Sequence, residues 1–186
     1  TGIDKAFFGV QVLDDVSFDV VQGEVHGLVG ENGAGKSTLM KVLAGVHQAD
    51  AGSIEFAGQT VAFTHPLQAM NAGLVTVFQE FNLLPERTVA QNVYLGREPL
   101  KGGLIDKKTM IARTRAILDD LGVDFIEPTE RVGSLTVAEQ QIVEIVKALS
   151  FDARVISMDE PTAALSEHEV ELLYAIIRRL TARGVA

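Results

Sequence analysis

No cysteine occurs among the 186 residues, so neither disulfide bonds nor thiolate-bound metal ions can stabilise this fold. No apolar run approaches the roughly 18 residues that cross a bilayer, and the first residues lack the pattern of a signal peptide. We therefore expect contact with any membrane to be made through another protein. Positive charge is also scarce, and the net charge of −9 argues against nucleic acid as the main partner, since phosphate binding favours a basic surface.

The chain does contain a regular succession of strand and helix patterns. Short β-branched runs predict strands, and apolar residues three and four positions apart predict helices. The predicted strands cover residues 12–20, 25–29, 74–78 and 155–158, with a hairpin at 52–63, and the predicted helices cover 37–44, 109–121, 138–149 and 167–183. Helical patterns dominate between about residues 83 and 150. We therefore expect an α/β core that carries an inserted helical subdomain.

A glycine-rich segment before the first predicted helix carries the most specific motif. Residues 30–37, Gly-Glu-Asn-Gly-Ala-Gly-Lys-Ser, match G-x-x-x-x-G-K-[ST] at every fixed position. Glycines let several backbone N–H groups point into one concavity, and the helix that follows adds its positive end, so the segment suits polyphosphate. Lys36 can reach the terminal phosphates, and the Ser37 hydroxyl can bind Mg²⁺. The predicted nucleotide-binding residues here are Gly30, Asn32, Gly33, Ala34, Gly35, Lys36, Ser37 and Thr38.

Two adjacent carboxylates follow the last predicted strand. Asp159 and Glu160 come before Pro161, at the carboxyl end of a strand that lies beside the phosphate loop if the sheet is doubly wound. A polar turn alone could have this sequence, but a phosphate loop upstream favours a catalytic role. Asp159 is predicted to hold Mg²⁺ through water, and Glu160 to orient or deprotonate the attacking water.

Residues 30–38 and 158–162 together resemble the ABC ATPase family. The resemblance implies ATP and Mg²⁺ as ligands and a fold of the α/β class, with a P-loop NTPase (RecA-like) core, an antiparallel β subdomain and an inserted helical subdomain. It also implies one ABC domain over the whole chain: nucleotide-binding core and antiparallel β over 1–82, helical subdomain over 83–150, and a return to the core over 151–186.

The same resemblance implies roles for aromatic and amide side chains outside the two motifs. Gln79 stands where the family has its Q-loop glutamine, which senses Mg²⁺ and the attacking water and links to the transmembrane partner. Phe7 stands where the family has an aromatic ring that stacks on adenine, a plausible contact for any base. A core position is the alternative for Phe7, and Phe8 is a second candidate for the stacking contact.

The family's signature segment, LSGGQ, corresponds here to Leu135, Thr136, Val137, Ala138 and Glu139. In the family this segment faces the γ-phosphate bound by the opposite domain of a head-to-tail pair. Thr136 and Glu139 also have the spacing of a capping box for the next helix. Because a carboxylate near that helix end repels ATP, we hypothesise that the composite site completed by this segment is the weaker of two.

Two further positions depart from the family's pattern. Ser166 stands where the D-loop normally ends in Asp, and we predict that it caps the next helix together with Glu169. The family's switch histidine follows a strand that here begins at Val185, so we expect that histidine beyond the last residue and interpret this end as cut. None of the four histidines is placed to replace it: His26, His47, His65 and His168.

The signature wording and the run from Val16 to Leu165 look most like sugar importers whose motor subunit fuses two ABC domains. This resemblance implies ATP hydrolysis that powers import of a monosaccharide through a permease, at the cytoplasmic face of the cell membrane. The implied partners are a second ABC domain, permease subunits and, indirectly, a periplasmic or extracellular sugar-binding protein. A soluble ABC ATPase acting on DNA or ribosomes, and a nucleotide-binding fragment with little turnover, are the alternatives.

Overall fold

The computed structural model describes residues 1–78 and 82–186. The strands are β1 (Ile3–Phe7), β2 (Val10–Val16), β3 (Ile54–Phe56), β4 (Gln59–Val61), β5 (Leu74–Val77), β6 (Leu100–Lys101), β7 (Leu104–Ile105) and β8 (Val155–Met158). The helices are α1 (Lys36–Leu43), α2 (Pro66–Ala72), α3 (Val89–Val93), α4 (Lys107–Asp120), α5 (Val137–Leu149) and α6 (Glu167–Ala182), and a 3₁₀ turn (Val132–Ser134) precedes α5. In the described ranges, every helix is too short or too polar to cross a membrane.

Parallel pairing joins β5 to β8, with Leu74 opposite Val155 at one end and Val77 opposite Met158 at the other. Ala186 lies along β8, because its N–H donates to the carbonyl of Arg154 at 2.9 Å and its carbonyl accepts from the N–H of Ile156 at 2.8 Å. The prediction that a further strand opens at the last two residues is thus confirmed in its pairing.

Antiparallel pairs make up the rest of the described sheet structure. β1 pairs with β2, and helix α1 packs on that pair through a small core of Ile3, Leu13, Leu39 and Val42. The predicted hairpin is confirmed as β3 and β4. Its two turn residues, Ala57 and Gly58, both have positive φ values (52° and 77°), as a type I′ turn requires.

The largest hydrophobic core lies among helices α3 to α6. Helix α5 contributes Val143, Ile145 and Val146, which are fully buried, and α6 contributes Leu173 and Ile176. The apolar face of α5 faces this cluster, as its helical spacing predicts. The four predicted helices are all present, each within two residues of its predicted bounds.

One predicted strand, at residues 25–29, is wrong. This segment has no regular secondary structure, and Val25 and Val29 are 68% and 93% exposed. An apolar run forms a strand only where a neighbouring strand supplies hydrogen bonds. Within the described ranges, no backbone hydrogen bond joins residues 25–29 to another segment.

Candidate functional site

The loop at residues 30–35 derives its shape from glycines at two positions. Gly33 and Gly35 have φ values of +85° and +90°, which residues with a Cβ rarely adopt. Gly35 is also buried against β2, where a Cβ would lie 2.8 Å from the carbonyl oxygen of Val12 and 2.9 Å from a methyl carbon of Leu13. Glycine is therefore required at position 35 for both its conformation and its size.

Helix α1 starts directly after this loop and has an uncapped N-terminus. Gly35 is its N-cap, without a side-chain hydrogen bond, and its first turn contains no acidic residue. The first N–H groups of a helix have no partner within the helix, so this end attracts anions. Lys36 folds over the loop, and its Nζ donates to the carbonyls of Gly30 at 2.8 Å and Glu31 at 2.9 Å. The arrangement can bind a polyphosphate chain.

The acidic pair lies where the two parallel strands end together. The N–H of Asp159 donates to the carbonyl of Val77 at 3.1 Å, which continues the pairing of β8 with β5 by one residue. The hydroxyls of Thr76 and Ser157 lie 2.7 Å apart and link the strands from the side. The backbone of Asp159 is thus fixed by its hydrogen bond to β5, and this positions the Asp159 carboxylate at the end of the two strands.

Glu160 has a left-handed backbone, with φ of +46°. For a residue with a side chain this conformation costs roughly 1–2 kcal/mol, and such strain is concentrated at functional sites. Glu160 is exposed and Asp159 is half-buried. In the part of the chain that is described, neither carboxylate takes part in a hydrogen bond or an ion pair.

The predicted metal ligands Ser37, Gln79 and Asp159 stay a prediction. No hydrogen bond or ion pair connects residues 30–38 with Asp159 or Glu160 in the described ranges. Likewise, no group of three or more His, Asp or Glu side chains there could hold a metal ion. Gln79 lies outside the described residues, so its predicted role stays a prediction.

Phe7 ends β1 and is half-buried, whereas Phe8 is fully exposed at the β1–β2 turn. The ring of His47 meets Phe7 edge-on at 5.1 Å between centroids, and the Lys5 ammonium lies 5.5 Å from the Phe7 centroid. The Lys5 ammonium also donates to Asp50, at 2.6 Å, and together with the N–H of Ala6 it lowers the pKa of that carboxyl. Phe7 therefore has the His47 ring and the Lys5 ammonium as neighbours.

The predicted signature segment forms the N-terminus of α5. The Thr136 N–H donates to Glu139 Oε2 at 2.7 Å, and the Glu139 N–H donates to Thr136 Oγ1 at 3.3 Å, so the predicted capping box is confirmed. Leu135 and Ala138 are buried, whereas Val137 is 43% exposed. The helix end therefore exposes the Val137 side chain, while the Thr136 hydroxyl oxygen accepts from the helix.

The second predicted cap, at the start of α6, also has a glutamate three residues after the N-cap residue: Glu169 follows Ser166 as Glu139 follows Thr136. Glu169 Oε2 accepts from the N–H of Ser166 at 2.8 Å and from its hydroxyl at 2.7 Å. These two hydrogen bonds stabilise the ionised carboxylate and lower the pKa of Glu169. The prediction that Ser166 caps α6 is confirmed.

Sequence reasoning missed two polar residues that hold the segment after Gln79. Glu144 on α5 is 8% exposed and accepts from the Asn82 N–H at 3.0 Å. Asn92 on α3 is 1% exposed and accepts from the Leu84 N–H at 2.7 Å. The available signal was a carboxylate inside the apolar stripe of a predicted helix, which is rare unless the group has partners.

Comparisons with known proteins all match this chain to ATP-binding proteins of ABC transporters. The family described as ABC transporter matches residues 13–163. The arabinose import ATP-binding protein AraG of Rhizobium etli is 50% identical over 182 residues, which cover 98% of this chain and 36% of that protein. The ribose import ATP-binding protein RbsA 1 of Rubrobacter xylanophilus is 50% identical over 184 residues, covering 99% and 37%. The galactose/methyl galactoside import ATP-binding protein MglA of Yersinia pestis is 47% identical over 184 residues, covering 99% and 36%.

Solved structures agree with the sequence matches. A nucleotide-free ATP-binding cassette from an ABC transporter superposes with a TM-score of 0.86 at 29% identity, covering 99% of this chain and 76% of that one. The ADP conformation of an ATP-binding cassette gives a TM-score of 0.85 at 29% identity with the same coverage. The chain spans little more than a third of the length of the import proteins that it matches.

Proposed function

Because the chain belongs to the ABC transporter family, we propose that it binds MgATP at residues 30–38 and supports its hydrolysis in a transport motor. The observation that carries this proposal is the uncapped start of α1, with a mostly exposed glycine loop before it and Lys36 folded across that loop. Phosphate oxygens satisfy the N–H groups at this helix start and compete with the two loop carbonyls for the Lys36 ammonium.

Oxygen donors suited to Mg²⁺ come from two different elements. The Ser37 hydroxyl is exposed on the first turn of α1, and the Asp159 carboxylate follows β8. Hydroxyl and carboxylate oxygens are ligands that Mg²⁺ prefers, and Gln79 is the third proposed ligand. The ion supplies neutralisation of phosphate charge. Glu160 orients or deprotonates the attacking water, and the Phe7 ring stacks on the adenine.

The substrate that we propose for the motor is a monosaccharide. Support comes from the names of relatives that match nearly the whole chain at 47–50% identity, which are import proteins for arabinose, ribose and galactose. The chain is then one ABC domain, with its helical part between residues 83 and 150. Its proposed partners are a second ABC domain and permease subunits at the cytoplasmic face of the membrane, with a sugar-binding protein on the other side.

Two substitutions separate ATP binding from ATP turnover. Lys36→Ala removes the ammonium at the loop, so we expect the dissociation constant for a fluorescent ATP analogue to rise at least about tenfold. Glu160→Gln keeps the loop intact, so binding stays within twofold while phosphate release by the assembled transporter stops. Unchanged binding in Lys36→Ala would contradict the proposed nucleotide site. Full turnover in Glu160→Gln would remove Glu160 from the mechanism.

The transport step is tested with the protein and its permease in proteoliposomes. We expect ATP-dependent uptake of one of three labelled sugars, arabinose, ribose or galactose, and no uptake by the Lys36→Ala assembly. ATP hydrolysis that is stimulated by DNA or ribosomes, with no uptake of any of the three sugars, would contradict sugar import and favour a soluble ATPase.

A further inference from the structure

Helix α5 carries a carboxylate in the middle of its most buried stretch. Glu144 is 8% exposed and lies between Val143 and Ile145, which are fully buried. A carboxylate is almost never this buried without partners, because removal from water is unfavourable unless hydrogen bonds and an opposite charge replace the solvent. The groups that contact the Glu144 carboxylate therefore indicate what a charged side chain does at this buried position.

Both polar backbone groups of one distant residue are held by Glu144 and its neighbour on the helix. The Asn82 N–H donates to Glu144 Oε1 at 3.0 Å, and the Asn82 carbonyl accepts from Lys147 Nζ at 3.2 Å. Glu144 and Lys147 also pair with each other, at 3.6 Å. Hydrogen bonds with a charged partner are roughly twice as strong as neutral ones. Asn82 is thus fixed to α5, more than 60 residues further along the chain.

The residues after Asn82 are joined to the chain that leads into α5. The carbonyl of Pro85 accepts from the Gly133 N–H, and the carbonyl of Arg87 accepts from the Val132 N–H, both at 3.0 Å. Residues 85–87 and 132–133 are therefore joined by backbone hydrogen bonds, two residues before the predicted signature segment begins at Leu135. A displacement of α5 must carry Asn82 with it.

We propose that Glu144 and Lys147 are positioning residues for ATP turnover, which hold the chain three residues after Gln79 to the helix that begins at the signature segment. This inference rests on the proposed function. The pair fixes Asn82 to α5, so that the proposed γ-phosphate contacts of Gln79 and of the signature segment form together. Neither side chain lies in the nucleotide loop, so loss of the pair lowers kcat for ATP and leaves nucleotide affinity unchanged.

The first test measures, in the 186-residue chain, how firmly Glu144 and Lys147 hold Asn82; we call these contacts the Asn82 clamp. Residue-resolved hydrogen exchange should show the Asn82 amide exchanging about tenfold faster in Glu144→Ala than in the parent chain. Glu144→Gln keeps an acceptor oxygen and should restore most of the protection. The matched control is Asp119→Asn, which removes an exposed ion pair with Arg115 on α4 and should leave Asn82 unchanged.

The second test measures turnover by the full protein assembled with its permease. Glu144→Ala and Lys147→Met should each lower kcat about tenfold with KM for ATP within twofold, Glu144→Gln should recover most of the rate, and Asp119→Asn should match the parent. If the role of Glu144 is purely structural, both variants lower the thermal unfolding midpoint and the fraction of active protein. In that case the kcat values of Glu144→Gln and Glu144→Ala, per active molecule, do not differ.

The outcomes distinguish this inference from the proposed function. If Lys36→Ala abolishes turnover while Glu144→Ala and Lys147→Met keep the parental kcat, the positioning role is overturned and the ATP site stands. If turnover persists in Lys36→Ala, the proposed function itself fails. Should Glu144→Ala not fold, Lys147→Met decides: a kcat about tenfold below that of the parent supports the positioning role, and a parental kcat overturns it.

Discussion

The nucleotide loop at residues 30–35 and helix α5 are predicted to contact ATP from opposite sides of a domain pair, and they are built in opposite ways. The loop is mostly exposed and follows an irregular segment in which Val29 is 93% exposed. Its shape is set mainly by two glycines at positive φ and by Lys36, which donates to the carbonyls of Gly30 and Glu31; of its glycines, only Gly35 packs against β2. Helix α5 is set by distant contacts, since most of its residues are buried and Glu144 holds Asn82.

This difference separates binding from stability within one chain. A loop whose conformation is determined mainly by its own residues keeps that conformation even where its surroundings are loosely packed. A helix whose position depends on a shared core loses that position when the core is disturbed. We therefore expect substitutions near the loop to act on nucleotide affinity, and substitutions in α5 to act on the free energy of unfolding.

The largest expected effect comes from the same substitution made in both regions. Val143→Ala removes two methyl groups from a fully buried site and should lower the free energy of unfolding by about 2–3 kcal/mol. Val29→Ala removes the same atoms from an exposed side chain and should change the free energy of unfolding by less than about 0.5 kcal/mol. Urea unfolding of the chain, followed by circular dichroism, measures both values. Equal losses would show that the loop region is as tightly packed as α5.

A smaller effect is expected within the loop itself. Gly35→Ala combines a φ value of +90° with a clash against the Val12 carbonyl, and should cost about 2 kcal/mol of stability together with nucleotide binding. Gly33→Ala shares the unfavourable φ, but no atom lies within 4 Å of its added Cβ, so it should cost about 1 kcal/mol. Thermal unfolding with and without ATP checks both. Equal costs would mean that contact with β2 does not hold the loop.

The same contrast explains what the sequence predicts and what it does not. The start of α1 and the caps of α5 and α6 were predictable, because each depends on residues within about four positions. The capping box of α3, formed by Thr88 and Gln91, was equally local and was overlooked. Residues 25–29 were predicted as a strand because their composition is right, but a strand also needs a neighbour, which composition does not reveal.

The Asn82 clamp lies beyond sequence reasoning of this kind. Glu144 and Lys147 lie 62 and 65 residues after Asn82, and they meet it only because α5 packs into the core beside that segment. The sequence does indicate that Glu144 is unusual, as a charge on an apolar helix face. It does not indicate which backbone group the carboxylate binds.

The smallest expected effect concerns Glu139, where the predicted signature segment departs from the family's sequence. The carboxylate is turned back onto the Thr136 N–H at 2.7 Å and therefore lies at the start of α5, where the helix dipole favours an acidic side chain. Glu139→Gln retains an acceptor oxygen for that bond and removes only the charge. The change should therefore cost about 0.3–1 kcal/mol of stability. It should also raise ATP turnover of the assembled transporter about two- to fivefold, because repulsion of the γ-phosphate is relieved, by up to about 1 kcal/mol for charges in a water-like medium.

The matched control for Glu139→Gln is Glu169→Gln at the start of α6. Glu169 holds the Ser166 N–H in the same way, at 2.8 Å, but lies outside the signature segment. Both variants remove a charge from a helix N-terminus, so their stability losses should be similar, and the phosphate-release assay then isolates the electrostatic effect at the signature. A rise in turnover for both variants would assign the gain to looser helix ends. No rise for Glu139→Gln would mean that the folded-back carboxylate is already neutralised by the N-terminus of α5, and the asymmetry between the two composite sites would need another origin.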